Sequence, residues 1–306
     1  MNVTKEQIKD VAKSLGMALC GVSNVDRLKT SPQGKHPCDI LPGCKSVIVI
    51  GARLLDGIVQ ANFRAFEDGS YNLKGLYGTY GYSILPNFVL TNACYVMAQF
   101  IETNSDEIAT PCSTGPLQNG AQISLRHAAV AAGLGEIGYM GITLTPEFGP
   151  RNRFGVILTT LELAPDPMYG DNGDKPLCND CGICTRVCPS GALGGAPGTS
   201  ELAHVEIGDK QYDYVLVDIP KCTKAELAMN KALGGAEDYL TKIDVTMADI
   251  REARQKMPEP MGGIPNNDSW HCGRCLSYCP VGSWGNRFKK TGLSKGASAG
   301  FMDEKA

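Results

Sequence analysis

Eight of the thirteen cysteines fall between residues 178 and 279, and their spacing is that of metal chemistry. Cys178, Cys181, Cys184 and Cys188, followed by Pro189, give C-x2-C-x2-C-x3-C-P. Closely spaced thiolates wrap three corners of a 4Fe–4S cube, and the longer step with its proline sends the fourth thiolate to a second cluster. Zinc prefers separated C-x2-C pairs and has no use for a third step, so the run reads as iron–sulfur. A second run, Cys272, Cys275 and Cys279 before Pro280, lacks its first cysteine, and Ser269 stands in that place. Cys222 is the only other cysteine beyond residue 188. It is either the missing ligand or a buried apolar thiol. With it the count closes as two sets: Cys178, Cys181, Cys184 and Cys279 for one cluster, and Cys188, Cys222, Cys272 and Cys275 for the other.

The remaining thiols, Cys20, Cys38, Cys44, Cys94 and Cys112, are scattered and read as small buried hydrophobes. Gly133, Gly135 and Gly138 match G-x-G-x-x-G. A dinucleotide fingerprint needs a strand before it and a helix after it. Here a helix-like stretch precedes the motif, and Gly141, Pro146, Gly149 and Pro150 interrupt the residues after it. Dinucleotide binding by this loop is therefore rejected.

These groups need elements to position them. Thr4 and Gln7 form a capping box for a first helix bearing Ile8, Val11, Ala12 and Leu15, with Gly16 as its stop. Met17–Val22 and Ser46–Gly51 read as strands. Pro86 is expected to start a second helix with Val89, Ala93, Val96, Met97 and Phe100 on its apolar face. Gln122–Ala132 reads as a third helix, Phe154–Leu163 and Tyr212–Val217 as strands, and Val245–Gln255 as a helix with Thr246 as its cap. Tyr77, Tyr80 and Tyr82, interleaved with glycines, suggest a flexible segment over a pocket. Three prolines and two glycines between Ala164 and Pro176 mark a domain boundary. The expected division is residues 1–170, residues 171–289 and a flexible tail at 290–306.

The chain has 306 residues, a net charge of −3 and 43% hydrophobic residues. That charge offers no general basic field for a phosphate backbone. The longest clean apolar run, Val47–Ile50, is far shorter than a bilayer requires, and no signal core or twin-arginine pair is visible. The expectation is a cytoplasmic protein with no membrane and no nucleic-acid partner.

Residues 126–163, RHAAVAAGLGEIGYMGITLTPEFGPRNRFGVILTTLEL, resemble the segment that reductive dehalogenases and epoxyqueuosine reductases carry before their clusters. LPGCKSVIVIG, residues 41–51, resembles their first core strand, and the isolated Cys222 matches their cluster arrangement. The resemblance covers most of residues 35–285. It implies an α+β fold: a nitroreductase-like, corrinoid-binding domain followed by a ferredoxin-like domain with two 4Fe–4S clusters. It also implies a cobalamin-type corrinoid. None of His36, His127, His204 and His271 lies in a D-x-H-x-x-G motif, so the corrinoid is expected base-off. Arg126, His127, Gly133, Gly135, Gly138, Arg151 and Arg153 are the residues expected to contact it. The position of the epoxyqueuosine reductases' catalytic aspartate falls on Asn119, which cannot donate a proton as an acid. The dehalogenases' tyrosine donor makes Tyr80, Tyr82 and Tyr139 the candidate catalytic residues.

Only 27 residues follow Cys279, and the chain is acidic. Both features argue against a tRNA substrate and for a small molecule with a reducible bond. The expected function is thus a cytoplasmic corrinoid- and 4Fe–4S-dependent reductase of a small molecule. Electrons would pass from ferredoxin or flavodoxin through the two clusters to cobalt. The alternative is an electron-transfer protein that reduces a corrinoid on a partner and has no substrate of its own.

Overall fold

The computed structural model describes residues 3–67, 73–112, 122–223, 246, 248 and 272–282. It is a mixed α/β structure. Helix α1, Lys5–Ser14, begins at the expected Thr4–Gln7 capping box, and Gly16 takes a left-handed φ of 78° just past its end. The central sheet is antiparallel, in the order β1-β2-β6-β3, from Leu19–Asn24 (β1), Ser46–Arg53 (β2), Ala109–Cys112 (β3) and Asn152–Thr159 (β6). β2 reads as an unbroken apolar run because helices cover both faces of the sheet. Ile48 and Ile50 pack with Ile8 and Ala12 of α1 and with Met97 and Ile101. Val47 and Val49 pack with Ala128 to Ala132 on the opposite side.

Two helices differ from the sequence reading. Helix α2, Asp56–Glu67, has no counterpart in it. Pro86 does not start a helix: a π-helical stretch, Tyr77–Leu90, runs through it into Thr91–Asn104, and together these form α3. A π-helix has wider hydrogen-bond spacing than an α-helix, which leaves room for a proline within it. The three tyrosines expected in a flexible segment are therefore helical. At 28 residues, with a mean hydropathy of 1.4 in its most apolar stretch, α3 is long and apolar enough to cross a membrane. The same helix lays Ala93, Cys94, Met97, Ala98 and Ile101 against the sheet.

Helix α4 is Leu125–Ala131, capped by the Ser124 side chain. Two short strands, Glu136–Ile137 (β4) and Thr143–Leu144 (β5), pair after it. Leu202–Ile207 (β7) and Lys210–Val215 (β8) form a separate hairpin. Apart from residues 246 and 248, the helix expected at Val245–Gln255 lies outside the described residues, as do Asn119 and the tail.

The proline-rich stretch is tied to the sheet domain. The Asp166 carboxylate meets Lys5 at 3.0 Å and Lys9 at 2.9 Å, and it accepts from the Val22 N–H at 3.0 Å. Arg27 donates to the Asp166 and Ala131 carbonyls, both at 2.7 Å.

Candidate metal centre

The two cysteine runs share the pattern C-G-x-C-x-x-x-C-P, at Cys181–Pro189 and Cys272–Pro280. Each folds the same way. Gly182 (φ 68°) and Gly273 (φ 56°) take left-handed conformations and start short helices, Ile183–Arg186 (α5) and Arg274–Tyr278 (α6). Only glycine adopts that conformation without strain. Gly273 is fixed twice over, because a Cβ there would lie 2.6 Å from the Tyr77 ring.

Cys178, Cys181, Cys184 and Cys279 line one cavity, with Gly138, Tyr139, Met140, Leu144 and Val281 completing its wall. The first run and the last cysteine of the second, 95 positions or more apart in the chain, thus converge as the spacing anticipates. Burial pushes the Cys184 thiol up to about 12, helped by Cys279, Cys178 and Cys181. The second set is also together. Burial pushes the Cys272 thiol up to about 12, with Cys222 and Cys188 adding to the rise. Cys275 is raised by burial and then by Cys272, Cys222, Cys184 and Cys188. Cys184 is in both neighbourhoods, so the two sets adjoin.

Buried thiols with such values stay neutral unless a cationic centre draws off their protons. Among the described residues, no three His, Cys, Asp or Glu side chains close on a single-ion site. Four thiols around a cavity, spread too widely for one ion, fit a polynuclear cluster better than zinc.

Several groups outside the cysteine runs hold them in place. Glu136, inside the glycine motif, accepts from the backbone N–H of Leu177 at 2.7 Å and of Cys178 at 2.8 Å. The Tyr139 N–H donates to Cys178 Sγ at 3.4 Å. Arg151 is 1% exposed and donates to the carbonyls of Leu276 (3.1 Å), Cys279 (2.8 Å) and Val281. Asn62 on α2 donates to the Cys272 carbonyl at 3.1 Å and to Ser277 Oγ at 3.2 Å. Phe63 stacks on Tyr278 with centroids 4.2 Å apart. Asp218 accepts from the Lys221 N–H and opens the helical turn that carries Cys222. Asn62 and Glu136 escape a reading of the sequence. The one signal that could flag Glu136 is an acid placed among the glycines.

The residues expected to contact a corrinoid have the following surroundings. A Cβ at Gly133 would lie 2.1 Å from the Pro167 carbonyl oxygen, and one at Gly135 would lie 1.8 Å from that of Leu144. At Gly138 it would meet the Leu144 side chain at 2.7 Å. The glycines are thus required by protein packed on them, and that loop offers no cradle for a large ligand. Arg126 donates to the Gly141 carbonyl and faces the Tyr214 ring. His127 is held down to about 4 by burial and by Arg126, so it is neutral at physiological pH. Arg153 is half-buried: it donates to Tyr77 Oη at 3.1 Å and lies 5.9 Å from the Tyr82 ring centroid. Tyr80 and Tyr82 are 50% and 36% exposed, and Leu55 and Leu76 add exposed apolar surface at the ends of the neighbouring helical segments. Tyr139 is 8% exposed and faces the cysteine cavity.

No protein-family model matches the chain. Tetrachloroethene reductive dehalogenase of Sulfurospirillum multivorans is 42% identical over 86 residues, 28% of this chain and 17% of that protein. Epoxyqueuosine reductase of Staphylococcus aureus is 29% identical over 214 residues, 62% of this chain and 52% of that protein. The solved epoxyqueuosine reductase of Streptococcus thermophilus superposes with a TM-score of 0.52 at 16% identity, covering 92% of this chain and 66% of that one. A reductive dehalogenase structure described for B12-dependent dehalogenation superposes at 0.51 and 18% identity, covering 89% of this chain and 35% of that one. The chain is therefore a relative of the epoxyqueuosine reductases and reductive dehalogenases and shares their fold. It spans less than two thirds of the curated relatives it matches, 14% to 62% of their length. The expectation of a small-molecule substrate and no nucleic acid is corrected here. The longer of these matches is to an epoxyqueuosine reductase, whose name gives a modified nucleoside as its substrate. Net charge is no argument against such a partner, because it averages over a whole surface while a nucleic acid meets only one face.

Proposed function

We propose that this chain is a cytoplasmic oxidoreductase that uses two 4Fe–4S clusters and a base-off corrinoid to reduce an epoxyqueuosine-type base in RNA. Residues 1–170 form a nitroreductase-like domain and residues 171–289 a ferredoxin-like one, with the two cysteine sets as cluster ligands. The observation that carries the reading is the convergence of Cys178, Cys181, Cys184 and Cys279 on one cavity, beside Cys188, Cys222, Cys272 and Cys275. The RNA substrate is favoured because the epoxyqueuosine reductase match spans 62% of this chain, against 28% for the dehalogenases.

Electrons enter from ferredoxin or flavodoxin near the exposed Cys181. The second set lies against Tyr77, whose ring fills the space over Gly273 and whose hydroxyl accepts from Arg153. Beside Arg153 lies the half-open ring of Tyr82, and a corrinoid is proposed to sit against this pair. A corrinoid held there supplies a low-potential metal centre. Tyr82 is placed to give a proton to the substrate: a phenol titrates near 10, and the facing guanidinium favours the phenolate left behind. Tyr80 is the second candidate donor.

The test is anaerobic reconstitution with iron, sulfide and cobalamin, followed by reduction in the presence of an epoxyqueuosine-containing tRNA stem loop. Mass spectrometry should find loss of one oxygen from the base, and Tyr82→Phe should slow it about 10²-fold or more, in line with general acid catalysis. A reconstituted protein that carries both clusters and corrinoid but leaves the base unchanged would overturn the substrate assignment. The electron-carrier reading would then replace it.

A further inference from the structure

Tyr139 follows the glycine motif by one residue, and its surroundings assign it to the first cysteine set. Its backbone is pinned on both sides. The N–H donates to Cys178 Sγ at 3.4 Å, and the carbonyl accepts from the Val215 N–H at 2.8 Å. The side chain is thereby directed into a cluster of Met140, Leu144, Leu193, Val215 and Cys279, with Cys178, Cys184, Cys188 and Cys275 packed against it. Tyr139 also lines the cavity shared by Cys178, Cys181, Cys184 and Cys279.

Its hydroxyl is buried and has no hydrogen-bond partner among the described residues. Leaving a hydroxyl unsatisfied in the interior costs about 1–3 kcal/mol, and a native fold seldom keeps such a group without a reason. Phenylalanine would fill the same space at no such cost. A phenol is a hydrogen-bond donor as well as an acceptor, and the sulfurs of an iron–sulfur cluster accept.

We propose that the Tyr139 hydroxyl donates a hydrogen bond to a sulfur of the cluster held by Cys178, Cys181, Cys184 and Cys279, and so raises that cluster's reduction potential. This inference rests on the two-cluster reading above. The observed N–H to Cys178 bond and the phenol then act on the same centre. Each places positive hydrogen density against charge that is larger in the reduced cluster, so each favours reduction. Tyr139 is in this view a residue that contacts the cluster and tunes it, and the proton for the substrate comes from elsewhere.

The experiment is a redox titration of the reconstituted full chain, followed by electron paramagnetic resonance, on wild type and Tyr139→Phe. The variant should keep the wild-type iron content and both reduced-cluster signals. One midpoint potential should move to a more negative value and the other should stay. A variant with full iron and two unmoved potentials overturns the inference and leaves the two-cluster reading standing. Wild-type protein that assembles no iron–sulfur cluster overturns that reading itself, and the inference with it. If Tyr139→Phe fails to assemble, wild-type sequence grown with 3-fluorotyrosine carries the test. Fluorine acidifies the phenol and strengthens it as a donor, so one potential should move positive. No movement in that protein overturns the inference, as would be found for a phenol bonded only to buried water.

Discussion

Cys222 and Arg151 show how single residues complete the centre. Cys222 is exposed, on a turn opened by Asp218, yet it is near enough to Cys272 and Cys275 to raise both thiols. With Ser269 in place of a cysteine, no other thiol remains for the second set. Cys222→Ala should leave roughly half the wild-type iron, with one reduced-cluster signal intact. Full iron in that variant would mark Cys222 as a packing thiol. Arg151 works on the backbone: its guanidinium gathers the carbonyls of Leu276, Cys279 and Val281 and so delivers Cys279 to a cavity built by the other run. Burial lowers its pKa to about 9, with Cys279 and Asp56 opposing the fall. Arg151→Met would leave these carbonyls buried and unpaired, at a cost of about 1–3 kcal/mol each. The expected result is a thermal midpoint several degrees lower and selective loss of the Cys279 cluster, read by iron analysis and electron paramagnetic resonance.

Among the elements, the proline-rich stretch and α2 do work that their sequences conceal. Asp166 joins that stretch to α1 and β1. Burial raises its pKa, but hydrogen bonds from Lys9, Lys5 and the Val22 N–H prevail and hold it below the usual 3.8. A carboxylate with a depressed folded value contributes stability that is fully present above its unfolded value and is lost as pH falls through the folded one. Asp166→Asn should therefore destabilise the protein at pH 7 by about 1–2 kcal/mol, allowing for screening of the partly exposed lysines. The difference from wild type should shrink as pH falls below about 4 and vanish in stronger acid. Denaturant melts at pH 7 and pH 3 check this, and an equal gap at both would refute it. Helix α2 brings Asn62 and Phe63 to the second cysteine run.

At the scale of the molecule, the sheet domain and the cysteine region share one interior surface. Tyr77 and Arg153 lie between the second cysteine set and the exposed Tyr82 of α3. This arrangement bears on the corrinoid. Among the described histidines, His36 Nδ1 accepts from the Cys38 N–H, His204 pairs with Asp213 on the exposed hairpin, and His127 Nε2 is buried. None of these three is thus expected as an axial ligand, and the proposed corrinoid is expected to bind base-off. The electron paramagnetic resonance of its Co(II) form should lack the nitrogen coupling of an axial histidine or benzimidazole. A nitrogen-coupled signal would contradict this, and the absence of binding at micromolar protein would remove the corrinoid from the proposal.

The sequence alone determined the local features. The Thr4–Gln7 capping box, the unbroken apolar run of β2 and the spacing of the two cysteine runs all come from residue type and order. Capping and thiolate loops are short-range, so a few neighbouring residues suffice to specify them. It could not show that α3 continues through Pro86, because proline is a helix breaker unless the backbone widens to a π-turn. Nor could it show what the glycines of G-L-G-E-I-G serve. Their reason is the close approach of Leu144 and Pro167, whose positions are set by long-range packing. Arg151, Asn62, Tyr77 and the Tyr139 hydroxyl acquire their roles in the same way. Each partner is distant in sequence, and only tertiary burial turns an ordinary polar side chain into one whose hydrogen bonds must be accounted for.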